Sequence, residues 1–244
     1  MSKSFFVSDI HFGLQSEEAE NRKIERFTEL AGMISREGGS LYMVGDILDY
    51  WMEFRHVIPK YFNPFLCQLR EMVRHGIGIH YFAGNHDFWL GNYFSETLGI
   101  RTWYGAQEQV IGGKHFYITH GDGLDRKDIG YRLFVFFVRN RFNLTLLSLV
   151  QPDMAIGLMR KLSRMSRKHG GSNMHYEADF LFQYADSLAE NKAFDFFVCG
   201  HSHMKSHKKL SNGQGDYVNL GTWTEGEYPY GVFENGQFSL QQLQ

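Results

Sequence analysis

Five short stretches of the sequence combine histidine with aspartate or asparagine, the side chains that bind first-row divalent metal ions. No cysteine lies within any of them, which argues against a thiolate zinc site. Two such ions about 4 Å apart need a bridging carboxylate, and together they can hold a phosphoryl group and generate hydroxide at neutral pH. Asp46 is our candidate for the bridge. The stretches are Asp9-Ile10-His11, Gly45-Asp46-Ile47-Leu48-Asp49, Gly84-Asn85-His86-Asp87, His120-Gly121-Asp122 and Gly200-His201-Ser202-His203.

Each stretch by itself has an ordinary explanation, such as a turn, a chance pair or two exposed histidines on one strand face. The five differ from chance pairs because each ends a short apolar run of the kind that forms a buried strand. In an open α/β sheet, ligands bind beyond the carboxyl ends of the strands. We therefore expect the five stretches to converge on one site. The runs are SFFVSD, LYMVGD, IGIHYFAG, KHFYITHG and FDFFVCG.

The elements between these runs indicate an α/β fold. Ile24, Phe27, Leu30 and Ile34 have helical spacing, and a second helix is predicted over 63–74, so the first three strands should pair in parallel. After Gly200 come short strand-like runs, with Asn-Gly hairpin signals at 212–213 and 235–236. We predict a single domain, 1–244, built as a four-layer αββα sandwich of two mixed sheets.

A helical insertion is predicted at about 126–169. It carries ten Lys and Arg against two Asp, although the formal charge of the whole chain is only −2. Its many Phe, Leu and Met residues suit a lid over acyl chains, and its basic residues suit anionic lipid head groups. The alternative is a helical hairpin packed on the core with solvated charges. Nucleic acid is not an expected partner, because the aromatic residues cluster in apolar runs instead of standing amid polar ones.

The location that we expect is the cytoplasm, with peripheral attachment to the inner face of the inner membrane. Asp9 interrupts the N-terminal apolar run too early for a signal peptide, and no apolar run approaches the roughly 18 residues of a membrane span. Cys67 and Cys199 form no CxxC pair, which is consistent with a reducing compartment.

At these stretches the sequence resembles the calcineurin-like metallophosphoesterase superfamily, whose motifs are DxH, GDxxD, GNHD/E, H and GHxH. The resemblance implies two divalent metal ions, one held by Asp9, His11, Asp46 and His203 and the other by Asp46, Asn85, His120 and His201. It also implies that His86 lies near the phosphate and leaving group as a proton donor or charge stabiliser. Asp87 would orient His86, and Asp49 would orient a ligand histidine.

The stretches GDILDYWMEF, GNHDFWL and HGDGLDRKDIGYR, together with the basic insertion before GHSH, are similar to the UDP-2,3-diacylglucosamine diphosphatases of lipid A biosynthesis. That resemblance implies Mn²⁺ as the metal and a lipid-linked nucleotide sugar as the substrate, cleaved to UMP and diacylglucosamine 1-phosphate. The substrate-binding residues that it implies are Asn85, Asp128, Tyr131, Arg164, Arg167 and Lys168.

Two rival hypotheses remain at this point. His86 stands where the best-known members of that family have Arg, so the same chemistry could act on another nucleotide, phosphodiester or lipid-linked diphosphate. A catalytically inactive metal-binding scaffold is the third hypothesis, and it is disfavoured because every expected ligand is present.

Overall fold

The computed structural model describes residues 3–125, 140, 145–147, 149–170 and 174–244; the side chains of 165–170 and 174 are outside that description. Its eleven described strands form two mixed sheets, as predicted for an α/β fold. The strands are β1 Ser4–Val7, β2 Ser40–Val44, β3 Gly78–Phe82, β4 Arg101–Trp103, β5 Gln107–Ile111, β6 Lys114–Ile118, β7 Phe196–Cys199, β8 Ser206–Lys209, β9 Asp216–Asn219, β10 Pro229–Glu234 and β11 Gln237–Gln242.

The first sheet has the strand order β11-β10-β1-β2-β3-β4, in which β1 to β4 run parallel. This confirms the parallel pairing predicted from the strand–helix alternation. Strand β10 joins β1 antiparallel and turns into β11 at Asn235 and Gly236, which both have positive φ. The hairpin predicted at 235–236 is therefore present, and its backbone conformation is the one that Asn-Gly favours.

The second sheet has the order β5-β6-β7-β9-β8. Strands β6, β7 and β9 run parallel, while β5 and β8 pair antiparallel at the two edges. The predicted 212–213 hairpin connects β8 and β9. Strands β4 and β5 were not among the predicted runs: β4 has only three residues, and the β5 sequence QEQVI has little apolar content.

Alternation along the strands divides the core between the layers. Phe6 of β1 points to the other sheet and packs with Phe116 and Phe196, whereas its neighbours Phe5 and Val7 point to the helical layer. A two-residue period of this kind is expected where both faces of a sheet are covered. The sheets thus pack face to face with helices outside, which confirms the predicted sandwich.

Two helices cover the first sheet. Helix α1 spans Glu17–Glu37 and has acidic residues in its first turn. Ser16 is its N-cap, and the Ser16 side chain accepts a hydrogen bond from the Ala19 amide. Helix α2 spans Asn63–Arg74, as predicted. Their buried faces include Phe27, Leu30 and Ile34 of α1 and Phe65, Leu66 and Leu69 of α2.

Two further helices follow in the second half of the chain, α3 at Pro152–Gly170 and α4 at Met174–Ala189. Helix α4 buries Leu181 and Ala185 against the second sheet. Helix α3 belongs to the predicted insertion, and its Ala155 packs with Met52 and Phe54 of the segment after β2. Residues 126–139 of the insertion lie outside the described residues. Across the part of the chain that is described, no helix is both long and apolar enough to cross a membrane.

Candidate metal centre

The predicted convergence of the five stretches is observed. Asp9, Asp46 and Asn85 follow the carboxyl ends of β1, β2 and β3 in the first sheet, while His120 and His201 follow those of β6 and β7 in the second. Because these five strands are parallel within their sheets, the loops after them meet at one end of the sandwich.

The backbone of this site is in an unusual conformation. Six described residues other than glycine have positive φ, and five of them belong to the predicted ligand set. Such conformations cost about 1–3 kcal/mol each and cluster at functional sites. These five residues are Asp9, His11, Asp46, His201 and His203.

Glycine precedes the ligands because a side chain would occupy their space. A Cβ at Gly84 would lie 2.2 Å from Asp46 Oδ1, and one at Gly200 would lie 2.3 Å from Asp9 Oδ2. Both contacts are far shorter than van der Waals distance. The glycines of GNHD and GHSH therefore allow loops from distant strands to approach the carboxylates closely.

One half of the site is formed by Asp9, His11 and His203. The Nε2 of His203 lies 3.2 Å from Asp9 Oδ1 and 3.3 Å from His11 Nε2. Asp9 Oδ1 is buried and, counting only partners among the described residues, makes no hydrogen bond. Its other oxygen, Oδ2, accepts hydrogen bonds from Ser8 Oγ and the His201 amide. A carboxylate oxygen and two imidazole nitrogens that converge in this way are a donor set that suits a common divalent cation.

The other half is formed by Asn85, His120 and His201. The Nε2 of His120 lies 3.1 Å from Asn85 Oδ1, and its ring centroid is 5.2 Å from that of His201. The Nδ1 of His120 lies 3.0 Å from the Val44 carbonyl. A hydrogen bond to that carbonyl places a proton on Nδ1, so Nε2 is the nitrogen through which His120 could bind a metal ion.

Asp46 lies between the two halves. Its Oδ2 is 3.7 Å from His11 Nε2 and 3.4 Å from His120 Nε2, while Oδ1 accepts a hydrogen bond from the His86 amide. Burial raises the pKa of Asp46, but the charges of His120 and His86 outweigh burial and hold it well below the usual range. Asp46 is thus an ionised carboxylate within reach of both ligand groups, the position predicted for a bridge.

The histidines differ in protonation. Burial lowers the pKa of His11, yet the carboxylates of Asp49, Asp9 and Asp46 outweigh it and raise the pKa to about 9. Burial and the charge of His120 lower the pKa of His201 to about 4, so its imidazole is neutral at pH 7 and able to ligate.

The expected role of Asp87 is corrected by its contacts. Its carboxylate accepts hydrogen bonds from the amides of Asp46, Ile47, Leu48 and Gly84 and from the hydroxyl of Tyr81. Burial and the charge of Asp46 raise its pKa to about 6. Asp87 therefore holds the loop that carries Asp46 in place, and its carboxylate is directed to that loop instead of to the His86 ring.

His86 is buried beside the site, with Nε2 4.0 Å from Asp46 Oδ2. It lies within 4.8 Å of the ligand atoms of His11 and Asp46, so distance alone does not separate it from the ligands. Its Nδ1 faces the hydroxyl of Ser163 at 3.1 Å and Asp49 Oδ1 at 3.6 Å. Asp49 Oδ1 is also 3.6 Å from Nδ1 of His11, which belongs to the predicted ligand set.

Ser163 was missed by the sequence analysis. It lies on α3 and donates to Asp49 Oδ2 at 2.8 Å. The sequence could have indicated it by spacing. Ser163 is four residues after Met159 and eight after Ala155, so the three share one helix face, and all three are buried.

Two buried groups that support the ligand loops were also missed. The ammonium of Lys23 donates to the carbonyls of Ile10 and His11 and pairs with Glu20 at 2.7 Å. The amide nitrogen of Asn219 lies 2.7 Å from the Gly200 carbonyl and 2.9 Å from Ser202 Oγ, which holds the loop of His201 and His203.

The predicted substrate-binding residues have different outcomes. Asn85 is in the site, whereas Arg164 is exposed on α3. Asp128 and Tyr131 lie outside the described residues, and so do the side chains of Arg167 and Lys168.

A cavity of about 410 Å³ adjoins the loops after His11 and Asp49. The guanidinium of Arg160 lies 5.9 Å from the ring centre of Tyr50 at its wall. Aromatic, amide and acidic side chains share the lining, whose members are Phe12, Gly13, Gln15, Glu17, Glu20, Asn21, Ile24, Tyr50, Tyr61, Phe62, Pro64, Phe65 and Arg160.

Two mixed sheets with a carboxylate–histidine cluster at their parallel strand ends define a metal-dependent hydrolase. Residues 3–205 match the family model described as calcineurin-like phosphoesterase, and the chain belongs to that family.

Relatives extend the match over the full chain. A protein of Porphyromonas gingivalis named UDP-2,3-diacylglucosamine hydrolase is 31% identical over 266 residues, covering 100% of this chain and 98% of the relative. A protein of the same name from Pseudomonas putida is 27% identical and covers 94% of this chain and 95% of its own. Among solved structures, a novel archaeal phosphodiesterase covers 99% of both chains at 14% identity with a TM-score of 0.49.

Proposed function

We propose that this protein hydrolyses the pyrophosphate of UDP-2,3-diacylglucosamine to UMP and 2,3-diacylglucosamine 1-phosphate, a step of lipid A biosynthesis. The observation that carries the chemistry is Asp46 Oδ2, which lies within 4 Å of a ligand nitrogen from each half of the site. The substrate follows from full-length similarity to relatives named for hydrolysis of that compound.

The proposed ligands are Asp9, His11, Asp46 and His203 for one ion and Asp46, Asn85, His120 and His201 for the other, with Mn²⁺ as the expected metal. Bound divalent ions would neutralise phosphate charge and supply hydroxide at neutral pH. The close approach of the buried Asp9 Oδ1 to His203 Nε2, at 3.2 Å, and the imidazole–carboxylate donor set both fit such ions.

His86 is the proposed proton donor or charge stabiliser at the leaving phosphate. The hydrogen bond from its own amide to Asp46 Oδ1 fixes its backbone next to the bridge, and its Nε2 faces the same carboxylate. An imidazole in this place can offer a proton to an oxygen bound between the two halves. Asn85 is proposed to contact the substrate as well as the metal.

The insertion is proposed to contact lipid. Of the described residues between 145 and 158, five large apolar side chains are exposed, and Arg160, Lys161 and Arg164 are exposed directly after them. An apolar face beside basic residues suits an anionic membrane surface, where each basic residue contributes about 1 kcal/mol. These five residues are here called the α3 apolar face. Leu146, Leu149 and Val150 precede α3, and Met154 and Leu158 lie on its first turns.

This arrangement supports a peripheral location on the inner face of the inner membrane, where a diacylated nucleotide sugar would be accessible. Asp128, Tyr131, Arg164, Arg167 and Lys168 remain the proposed contacts of the insertion with the phosphate and sugar.

The first experiment measures UMP release from UDP-2,3-diacylglucosamine in detergent micelles with added Mn²⁺. We expect release by the parent protein and none by Asp46→Ala, with two metal ions per chain in the parent. A preparation that binds two ions and cleaves a generic aryl phosphodiester but releases no UMP would eliminate the lipid substrate and leave the phosphoesterase activity standing.

The membrane proposal is tested by sedimentation with vesicles of phosphatidylglycerol and phosphatidylethanolamine. Leu149→Ser/Met154→Ser should bind at least about tenfold more weakly than the parent, because two exposed apolar side chains leave the interface. Equal binding of parent and variant would contradict a role for the α3 apolar face.

A further inference from the structure

We infer that Ser163 is a positioning residue for His86, delivered to the active site by the insertion helix α3. The inference rests on the proposed role of His86. Ser163 lies outside the superfamily motifs. Because it is on α3, the insertion must pack in its observed position for Ser163 to reach His86.

The direction of the hydrogen bonds follows from the chemistry of the three partners. Ser163 Oγ lies 2.8 Å from Asp49 Oδ2. In this hydrogen bond the serine hydroxyl donates its single hydrogen to the Asp49 carboxylate. The Nδ1 of His86, 3.1 Å from the same Oγ, must then donate to the serine lone pair.

The consequence concerns the opposite side of the His86 ring. With hydrogen held at Nδ1 by Ser163, and with the Asp49 carbonyl 3.3 Å from the same nitrogen, rotation of the ring is restricted. Nε2 is thereby aimed at Asp46 Oδ2, 4.0 Å away. Ser163, His86 and Asp49 are all at least nine-tenths buried, so water does not readily replace these contacts.

The position of Ser163 depends on how α3 packs. Ala155, Met159 and Ser163 form its buried face, and Ala155 packs with Met52 and Phe54. These two residues lie shortly after Asp49 in the chain. The same helix surface that anchors the insertion therefore carries the hydroxyl to His86.

The other side of this helix exposes Met154 and Leu158, part of the α3 apolar face. One rigid helix thus connects an exposed apolar surface to the hydrogen bond that orients His86. An insertion displaced from its seat would withdraw the serine and leave the His86 ring less restricted, while the ligand residues on the strand ends would stay in place.

The test uses diphenyl phosphate, a soluble phosphodiester with a poor phenol leaving group, and the full-length protein loaded with Mn²⁺. Ser163→Ala should lower kcat about tenfold or more, because a displaced proton donor loses much of its contribution, while KM and metal content stay within about twofold. Ser163→Thr keeps the hydroxyl and should recover most of the rate. Ser239→Ala, which removes an exposed hydroxyl on β11, should match the parent.

A double-mutant cycle separates positioning from a structural role. His86→Ala should lower kcat by about 100-fold, and adding Ser163→Ala should cost less than about twofold more, because the serine then has no ring to orient. Equal fold losses from Ser163→Ala in both backgrounds would overturn the inference. If Ser163→Ala loses its metal or unfolds, Ser163→Cys is used in the same cycle.

This outcome is distinguishable from failure of the proposed function, since the cycle uses diphenyl phosphate and the substrate assay uses UMP release. A protein that shows the coupling but releases no UMP retains the Ser163 assignment and loses the lipid substrate.

Discussion

Replacing Lys23 by Met is expected to destabilise the protein and loosen the loop that carries His11. Lys23 is 1% exposed, although it lies on α1. Its ammonium donates to the His11 carbonyl at 2.7 Å and to the Ile10 carbonyl at 3.1 Å. Its partner Glu20 accepts hydrogen bonds from the amides of Gly13 and Gln15 in the same loop.

The magnitude follows from what Lys23→Met leaves behind. Removing one member of a buried ion pair strands the other charge and costs about 3–5 kcal/mol. The carbonyls of Ile10 and His11 also lose their donor. An unsatisfied buried group of this kind costs about 1–3 kcal/mol, and this cost is included in the 3–5 kcal/mol.

Urea unfolding of the metal-free protein measures the change, with an unchanged m-value as the condition for comparing free energies. The matched control is Arg26→Met, which breaks the exposed Arg26–Glu29 pair of the same helix and should cost about 0.2–1 kcal/mol. Titration calorimetry with Mn²⁺ should show about tenfold weaker binding for Lys23→Met. A loss of stability no larger than that of Arg26→Met would refute the argument.

Three further predictions concern other parts of the molecule. Asn219→Ala should weaken Mn²⁺ binding about 10–100-fold in titration calorimetry, because the loop of GHSH loses its internal hydrogen bonds; unchanged affinity would contradict this. Burial and the charge of Arg101 lower the pKa of His80 to about 4, so the unfolded chain binds a proton that the native protein does not bind between about pH 6.5 and 4, and stability falls as pH falls through that window. His80→Gln should make the dependence of unfolding free energy on pH shallower by up to one proton there, and a parallel dependence would count against the prediction. Phe196→Ala, which empties a ring site between the sheets, should cost about 3–5 kcal/mol in urea unfolding, and a loss below about 1 kcal/mol would be inconsistent with that packing.

The convergence of the five stretches was predictable from sequence because it obeys a local rule. Each ligand stretch comes directly after an apolar strand, and parallel strands present their carboxyl ends at one edge. Helix α2 was predictable for a similar reason, since its apolar residues repeat at helical spacing over 63–74.

For Asp87, its position next to His86 in the sequence suggested the wrong side-chain partner. It follows His86 directly, which suggested that the two side chains interact. Its carboxylate instead turns to the amides of Asp46, Ile47 and Leu48, about 40 residues away in the chain. Those amides become available only after β2 and β3 have paired, because pairing brings the two strand-end loops together.

The alternation of strands and helices, the motif spacing and the choice of candidate ligand side chains are properties of short segments, and the order of the residues was enough to indicate them. The hydrogen-bond partners of His86 and His11 depend instead on which buried face each helix presents to the loops. Ser163 is 77 residues from His86, and Lys23 is 12 residues from His11 on a helix whose surface would ordinarily expose it. Side-chain contacts over such separations arise from the packing of whole elements, so the folded arrangement alone determines which groups contact His86 and hold the loop that carries His11.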